Sequence, residues 1–231
     1  FIDLARQMGF DLVELRSGQV SPEASDAELA DISQALRDSA IGVSMLVVDD
    51  LGRLEAWVRV ARALGAGLLR GGGTVEALSA AAARLPVDLR LAAQMHSQSP
   101  FEDVPQAAAA LADIPDRRVG VMPEPANLLF TGARWSADLF RPIAARIYGC
   151  NAQSIALDPS ADAKVTMNDG RQVPYSRLAW PANRKLRFAE FVAALRAVGY
   201  DGFINFIDPF LPGMTVQQLA ASTAAFARLC L

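Results

Sequence analysis

The chain has 231 residues, 52% of them hydrophobic, and a mean hydropathy of +0.21; this excludes a disordered chain and leaves room for one α/β barrel or two small domains. A formal net charge of −3 and a pI near 5.2 offer no basic field to a phosphate backbone, which argues against nucleic acid as a partner. The two cysteines, Cys150 and Cys230, lack metal-type spacing, and no apolar run reaches the roughly 18 residues of a membrane helix, so no membrane partner is expected.

Residues 1–9 already place Ile2, Leu4, Ala5 and Met8 at helical spacing, and a first strand is expected before them. Strand-like runs then follow at 11–16, 41–48, 66–70, 88–94, 118–122, 146–151 and 202–207. Between and after them, helical patterns occupy 27–39, 51–64, 75–84, 103–112, 139–145, 188–198 and 216–229. Such alternation indicates βα units on a parallel sheet. The order helix, glycine, strand recurs at Met8-Gly9-Phe10, Leu64-Gly65-Ala66 and Val198-Gly199-Tyr200, with Gly65 and Gly199 read as helix C-terminal caps. With the strand expected before residue 1 the count is eight, so the predicted fold is a (β/α)8 TIM barrel forming a single domain over residues 1–231.

Residues 152–186 interrupt the alternation with turn signals at Asp158-Pro159-Ser160, Asn168-Asp169-Gly170 and Trp180-Pro181. An insertion of this length is expected to be functional or mobile, here as a lid over the carboxyl ends of the strands. Asn168-Asp169-Gly170 predicts a hairpin with arms at 164–167 and 171–175. No basic-then-apolar leader begins the sequence, and a cytoplasmic setting is expected.

Two segments, Leu91-Ala-Ala-Gln94-Met-His96 and Val119-Gly-Val-Met-Pro-Glu124-Pro-Ala-Asn127, read as buried strands ending in polar groups. Together with Gly9-Phe10-Asp11-Leu12-Val13-Glu14-Leu15 and Gly199-Tyr200-Asp201-Gly202, they resemble the xylose isomerase-like TIM barrels, a superfamily of sugar isomerases, epimerases and endonuclease IV-type nucleases. The resemblance implies a reaction in which a divalent ion polarises a sugar carbonyl or hydroxyl while carboxylates move a proton at the neighbouring carbon. Matched strand by strand, the family's first Glu ligand falls on Gln94, its Asp on Glu124, its His on Asn151 and its final Glu on Ile207. Asp208 is adjacent to Ile207, but in a regular strand it points to the opposite face. Only Glu124 keeps a charge. No tightly bound cofactor is therefore expected, and Glu124 is the only matching ligand for weak Mn²⁺ or Mg²⁺ binding.

On this resemblance Glu124 is the candidate base and His96, the only histidine, the group that orients or protonates the substrate oxygen. The alternatives are an exposed loop glutamate and a structural histidine. Gln94, Asn127, Asn151 and Gln153 are amides suited to polyol hydroxyls. Glu14 and Arg70 end two further strands and are candidate substrate ligands. Arg70 precedes Gly71-Gly72-Gly73-Thr74, read either as a flexible loop or as backbone approaching an anion. Arg177 and Trp180, with Tyr175, either close over a sugar ring or anchor the insertion to the rim. The expected function is that of a sugar or sugar-phosphate isomerase or epimerase of carbohydrate metabolism with a degenerate metal site. The alternative is a non-catalytic barrel acting as a binding or partner subunit; a homo-oligomer is compatible with either.

Overall fold

The computed structural model of the chain describes residues 1–208 and 211–230. Two compact units make it up, Phe1–Ala93 with Asp113–Gly120, and Gln94–Ala112 with Val121–Leu231.

The first unit alternates helix and strand: α1 (Ile2–Gln7), β1 (Leu12–Leu15), α2 (Asp26–Asp38), β2 (Gly42–Val47), α3 (Leu54–Leu64), β3 (Leu68–Arg70), α4 (Val75–Arg84) and β4 (Arg90–Gln94), whose last residue enters the second unit. Capping chemistry sets the helix ends. Ser25 and Glu28 form a reciprocal capping box at α2, and Thr74 Oγ1 accepts the Ala77 N–H at α4. Gly65 closes α3 at φ 70°, a left-handed position glycine adopts without penalty. The strands pair in parallel, with Val13 opposite Val43, Leu46 opposite Leu69 and Leu69 opposite Leu91. β2 is buried along four consecutive residues, as expected of a parallel strand covered on both faces. Met45, Leu46, Trp57, Leu69, Leu78 and Leu91 are inaccessible to solvent, each large apolar side chain contributing roughly 1.5–3 kcal/mol by burial. The glycine run after β3 has a packing reason. A Cβ on Gly71 would lie 2.9 Å from Leu51 Cδ2 and 3.2 Å from Leu91 Cδ1, and Gly73 sits at φ +147°.

The second unit holds α5 (Val104–Ala112), the second half of β5 (Val119–Met122), α6 (Pro125–Phe130), α7 (Ala137–Phe140), β6 (Cys150–Ala152), α8 (Phe188–Ala197), β10 (Ile204–Phe206) and α9 (Val216–Cys230). The end of β4 meets β5 through Met95 N–H to Met122 O at 2.9 Å, and Tyr148 N–H to Val121 O at 3.1 Å carries β5 toward β6. Asn151 then pairs with Asn205 between β6 and β10, again in parallel. The carboxyl ends of β4, β5, β6 and β10 thus lie side by side. Among the described residues the parallel strands are the seven expected from the sequence. Three features differ most. The 139–145 pattern resolves into α7 and a 3-10 turn at Arg141–Arg146, because Pro142 has no N–H to continue the α-helix. The strand expected at 146–151 accordingly begins as a single bridge at Ile147 and is regular only from Cys150. α6 was not expected at all.

The insertion is more regular than its turn residues suggest. Between β6 and α8 it forms an antiparallel sheet of β7 (Ile155–Leu157), β8 (Lys164–Thr166) and β9 (Gln172–Arg177) in the order β7-β9-β8. Asn168-Asp169-Gly170 turns the predicted hairpin, with Gly170 at φ 83° and Met167 N–H on Arg171 O at 2.9 Å. Ile155 and Met167 pack with Ala126 and Phe130 of α6 in a small core flanked by Val165, Val173 and Tyr175. Among the described residues no helix is long and apolar enough to cross a membrane.

Candidate active site

The chain leaves β5 through Pro123 and reaches Glu124, whose carboxylate caps α6. Pro125 occupies the first helical turn, where its missing N–H costs nothing. Glu124 Oε1 accepts the N–H of Ala126 at 3.1 Å and of Gln153 at 3.0 Å, and Oε2 accepts the N–H of Asn127 at 2.9 Å. The residue is 0% exposed. Burial pushes its carboxyl up to about 7, against the three backbone N–H groups that pull it down. A carboxylate offers about four lone pairs. The two on Oε1 are filled and one on Oε2 stays open toward a further donor or a proton.

Asparagines and glutamines follow Glu124 in the chain or end the neighbouring strands. Asn127 and Asn151 are 4% and 0% exposed, and the Nδ2 of each is buried with no hydrogen-bond partner among the described residues. Asn205 Nδ2 lies 3.4 Å from Asn151 Oδ1, which orients the Asn151 amide. Gln153 is half-buried and reaches the site through its backbone, while Gln94 is half-buried at the end of β4. Cys150, adjacent to Asn151, is buried, and burial together with the neighbouring Glu124 charge pushes its thiol well above its ordinary value. His96 is exposed and its Nδ1 lies 2.9 Å from Ser97 O. With the proton on Nδ1, the neutral ring presents Nε2 as an acceptor.

The loop that carries His96 is tied to the insertion. Glu102, 5% exposed, accepts the Gln98 N–H at 3.0 Å and the Asn168 N–H at 2.7 Å through Oε2. Asn168 Nδ2 adds bonds to Ser99 O at 2.9 Å and Gln106 Oε1 at 2.7 Å. Sequence reasoning did not single out Glu102, since its partner lies 66 residues away. It also missed α6, although an acidic residue followed by proline is a helix-start signal.

The remaining candidates have surroundings of their own. Trp180 is 1% exposed, stacked on Phe226 at 4.9 Å between centroids and edge-on to Phe188 and Phe206 at 5.2 and 5.1 Å. Its Nε1–H donates to Asp208 Oδ1 at 2.7 Å. Of the two roles open to it, this is the anchor, and a ring so enclosed does not stack on a sugar. Tyr175 packs on Phe130 at 5.4 Å, and Arg177 is exposed at the end of β9. Asp208 serves Trp180 and Thr223 Oγ1, and burial pushes its carboxyl up. Glu14 and Arg70 belong to the first unit. There Glu14 Oε1 takes Arg16 Nε at 2.5 Å and faces an Arg70 terminal nitrogen at 3.9 Å.

These donors do not fit a divalent ion. Among the described residues no group of three or more His, Cys, Asp or Glu side chains is placed to hold one. Glu124, the one matching carboxylate, already accepts three N–H groups, and its amide neighbours turn unpartnered N–H donors toward their surroundings, where a cation requires oxygen acceptors.

Neither a protein-family model nor a curated protein matches the sequence. Solved structures do. A D-psicose 3-epimerase with D-tagatose from Clostridium cellulolyticum H10 is 13% identical, with a TM-score of 0.75 over 100% of this chain and 92% of that one. A xylose isomerase-like TIM barrel protein from Mycobacterium smegmatis in complex with magnesium is 14% identical, with a TM-score of 0.72 over 97% and 85%. An AP endonuclease of family 2 from Brucella melitensis is 13% identical, with a TM-score of 0.69 over 100% and 92%. An epimerase and a nuclease on one scaffold show that such likeness carries architecture and not activity. The chain has the xylose isomerase-like TIM barrel fold.

Proposed function

We propose that the protein is an isomerase- or epimerase-type enzyme that moves a proton at the carbon next to the carbonyl of a sugar or sugar-derived substrate, with Glu124 as the proton acceptor and no step carried by a metal. The observation that carries this reading is the Glu124 carboxyl. It is buried at a strand's carboxyl end, fixed by three backbone N–H groups and left with one open lone pair on Oε2. A base is most effective when its pKa is near the working pH, and burial places this one at about 7. Active sites of this architecture sit at the carboxyl ends of the strands. Gln94 and Gln153 would bind hydroxyls, the Asn127 and Asn151 amides would face further substrate oxygens, and His96, with Nε2 as an acceptor, would orient the substrate at the rim.

Deuterium wash-in from D2O into a panel of ketoses and ketose phosphates, followed by NMR, tests the reading. Wild type is expected to exchange the proton next to the carbonyl of at least one of them, and Glu124→Gln to lose roughly 100-fold or more of that rate. Glutamine keeps an acceptor for the α6 cap, so circular dichroism should remain that of wild type. Unchanged exchange in Glu124→Gln would remove Glu124 from the reaction, and a wild type that exchanges nothing would make this a binding barrel without chemistry.

A further inference from the structure

Asn127 and Asn151 bracket the Glu124 carboxyl. The Asn127 backbone N–H sits on Oε2 at 2.9 Å, and the Asn151 backbone N–H sits at 3.2 Å on the carbonyl of Pro123, the residue before Glu124. Two residues beyond Asn151, Gln153 closes the other side on Oε1. The side-chain Nδ2 of each asparagine nevertheless has no partner, although both residues are more than nine-tenths buried. Other buried or tethering asparagines place their Nδ2 donors on acceptors, although Asn183 Oδ1 has no partner among the described residues. Asn183 Nδ2 reaches Ser154 Oγ at 3.1 Å and Ile155 O at 2.9 Å, and Asn168 Nδ2 also finds two acceptors.

A buried N–H without an acceptor forfeits its hydration and gains nothing in return, so native proteins rarely keep one. Here two belong to residues whose backbones bond to Glu124 and to the residue before it. Asn205 holds Asn151 Oδ1, which leaves the other end of that amide to donate. What the pair lacks is an oxygen acceptor that the folded chain does not supply. A ligand oxygen that already carries a full negative charge would be repelled by Glu124 in the same cluster, whereas a carbonyl oxygen is neutral on arrival.

We propose that the Asn127 and Asn151 amides donate to the carbonyl oxygen of the substrate and hold the negative charge that develops there, in the place where a cation would otherwise act. The proposal rests on the isomerase-type reading above and assigns its electrophile. The step balances. The C–H bond next to the carbonyl breaks and its proton goes to Glu124 Oε2. The bonding pair becomes the C=C bond of an enolate while the carbonyl π pair moves to oxygen, and the two N–H groups strengthen their hydrogen bonds without losing a proton. Return of the proton from Glu124 to the neighbouring carbon, while the hydroxyl proton there passes to the first oxygen, gives the isomer. Donors aimed at developing charge in a dry site act mainly in the transition state. The pair therefore selects ketoses and aldoses over polyols of the same size.

The test uses the full chain labelled with ¹⁵N and titrated with D-tagatose, D-fructose and, as a carbonyl-free control, sorbitol. The side-chain amide signals are assigned in the wild type, with carbon-13 added, through their couplings to the backbone. Both amide pairs are expected to move downfield with a ketose and much less with sorbitol, and each of the variants Asn127→Leu and Asn151→Leu to slow deuterium wash-in roughly 100-fold at a melting temperature near that of wild type. Wash-in by wild type without movement of either amide, or variants that exchange at the wild-type rate, would overturn the proposal and leave Glu124 as base. Movement of both amides in a wild type that exchanges nothing would support the two donors and overturn Glu124. Absence of both signals would overturn both. The titration needs only the wild-type fold, so a variant that fails to fold leaves it decisive.

Discussion

A carboxyl enclosed by backbone N–H groups is drawn toward ionisation by those donors and away from it by the loss of water. At Glu124 the loss of water prevails, and the group rises from the ordinary 4.5 to about 7. The native state then binds the proton more tightly than the unfolded chain does. The stabilisation is fully present below about 4.5 and is lost as pH rises through about 7. From the size of the shift it amounts to roughly 3 kcal/mol. Wild type should therefore be more stable to urea at pH 5 than at pH 8. Glu124→Gln, which cannot ionise, should lose most of that difference and keep the part contributed by Asp208, which burial raises in the same sense. An unchanged difference in the variant would place the titration elsewhere.

Hydrogen bonds at its tip and aromatic packing at its end secure the insertion. Glu102 Oε2 takes one N–H from its own loop and one from the hairpin turn. Glu102→Ala leaves both without an acceptor in a buried place and should cost about 2 kcal/mol or more. Amide hydrogen exchange should accelerate in residues 164–177 and in the 97–102 loop, while α8 stays protected. Equal acceleration across the second unit would mean that Glu102 supports the unit at large. At the other end Trp180 lies among Phe188, Phe206 and Phe226. Trp180→Ala should lower stability by about 3–5 kcal/mol in thermal unfolding. If the ring were a sugar platform, the variant would lose affinity instead and keep its stability.

For the molecule as a whole, the question is how a fold shared with a magnesium-bound neighbour carries donors that do not suit the ion. Charge explains most of it. Where the family resemblance places carboxylates and an imidazole, this chain has Gln94, Asn151 and Ile207. Affinity for hard cations follows the number of anionic oxygens. The double change Gln94→Glu with Ile207→Glu should raise Mn²⁺ affinity roughly tenfold or more by calorimetry. A wild type that already binds one equivalent through Glu124 as tightly as the variant would overturn this account of the site.

Periodicity and capping are local properties, so they could be read along the chain. The helix after Ser25, the left-handed Gly65, the parallel strands and the Asn168-Asp169-Gly170 hairpin all follow from neighbours a few residues apart. The positions of Gln94, Glu124 and Asn151 at or just beyond strand ends were legible for the same reason, whereas Asn127 falls inside α6. What those residues do was not legible. Glu124 caps α6 through its own neighbours, but its pKa is raised only because the surrounding chain excludes water, against the pull of a third donor, Gln153, from 29 residues on. Trp180 becomes an anchor because three phenylalanines from separate elements meet it, and Glu102 a clasp because a turn 66 residues away reaches it. Residue type and spacing specify which groups can donate, accept or ionise. Burial and partners distant in sequence, supplied only by tertiary packing, decide which of them do.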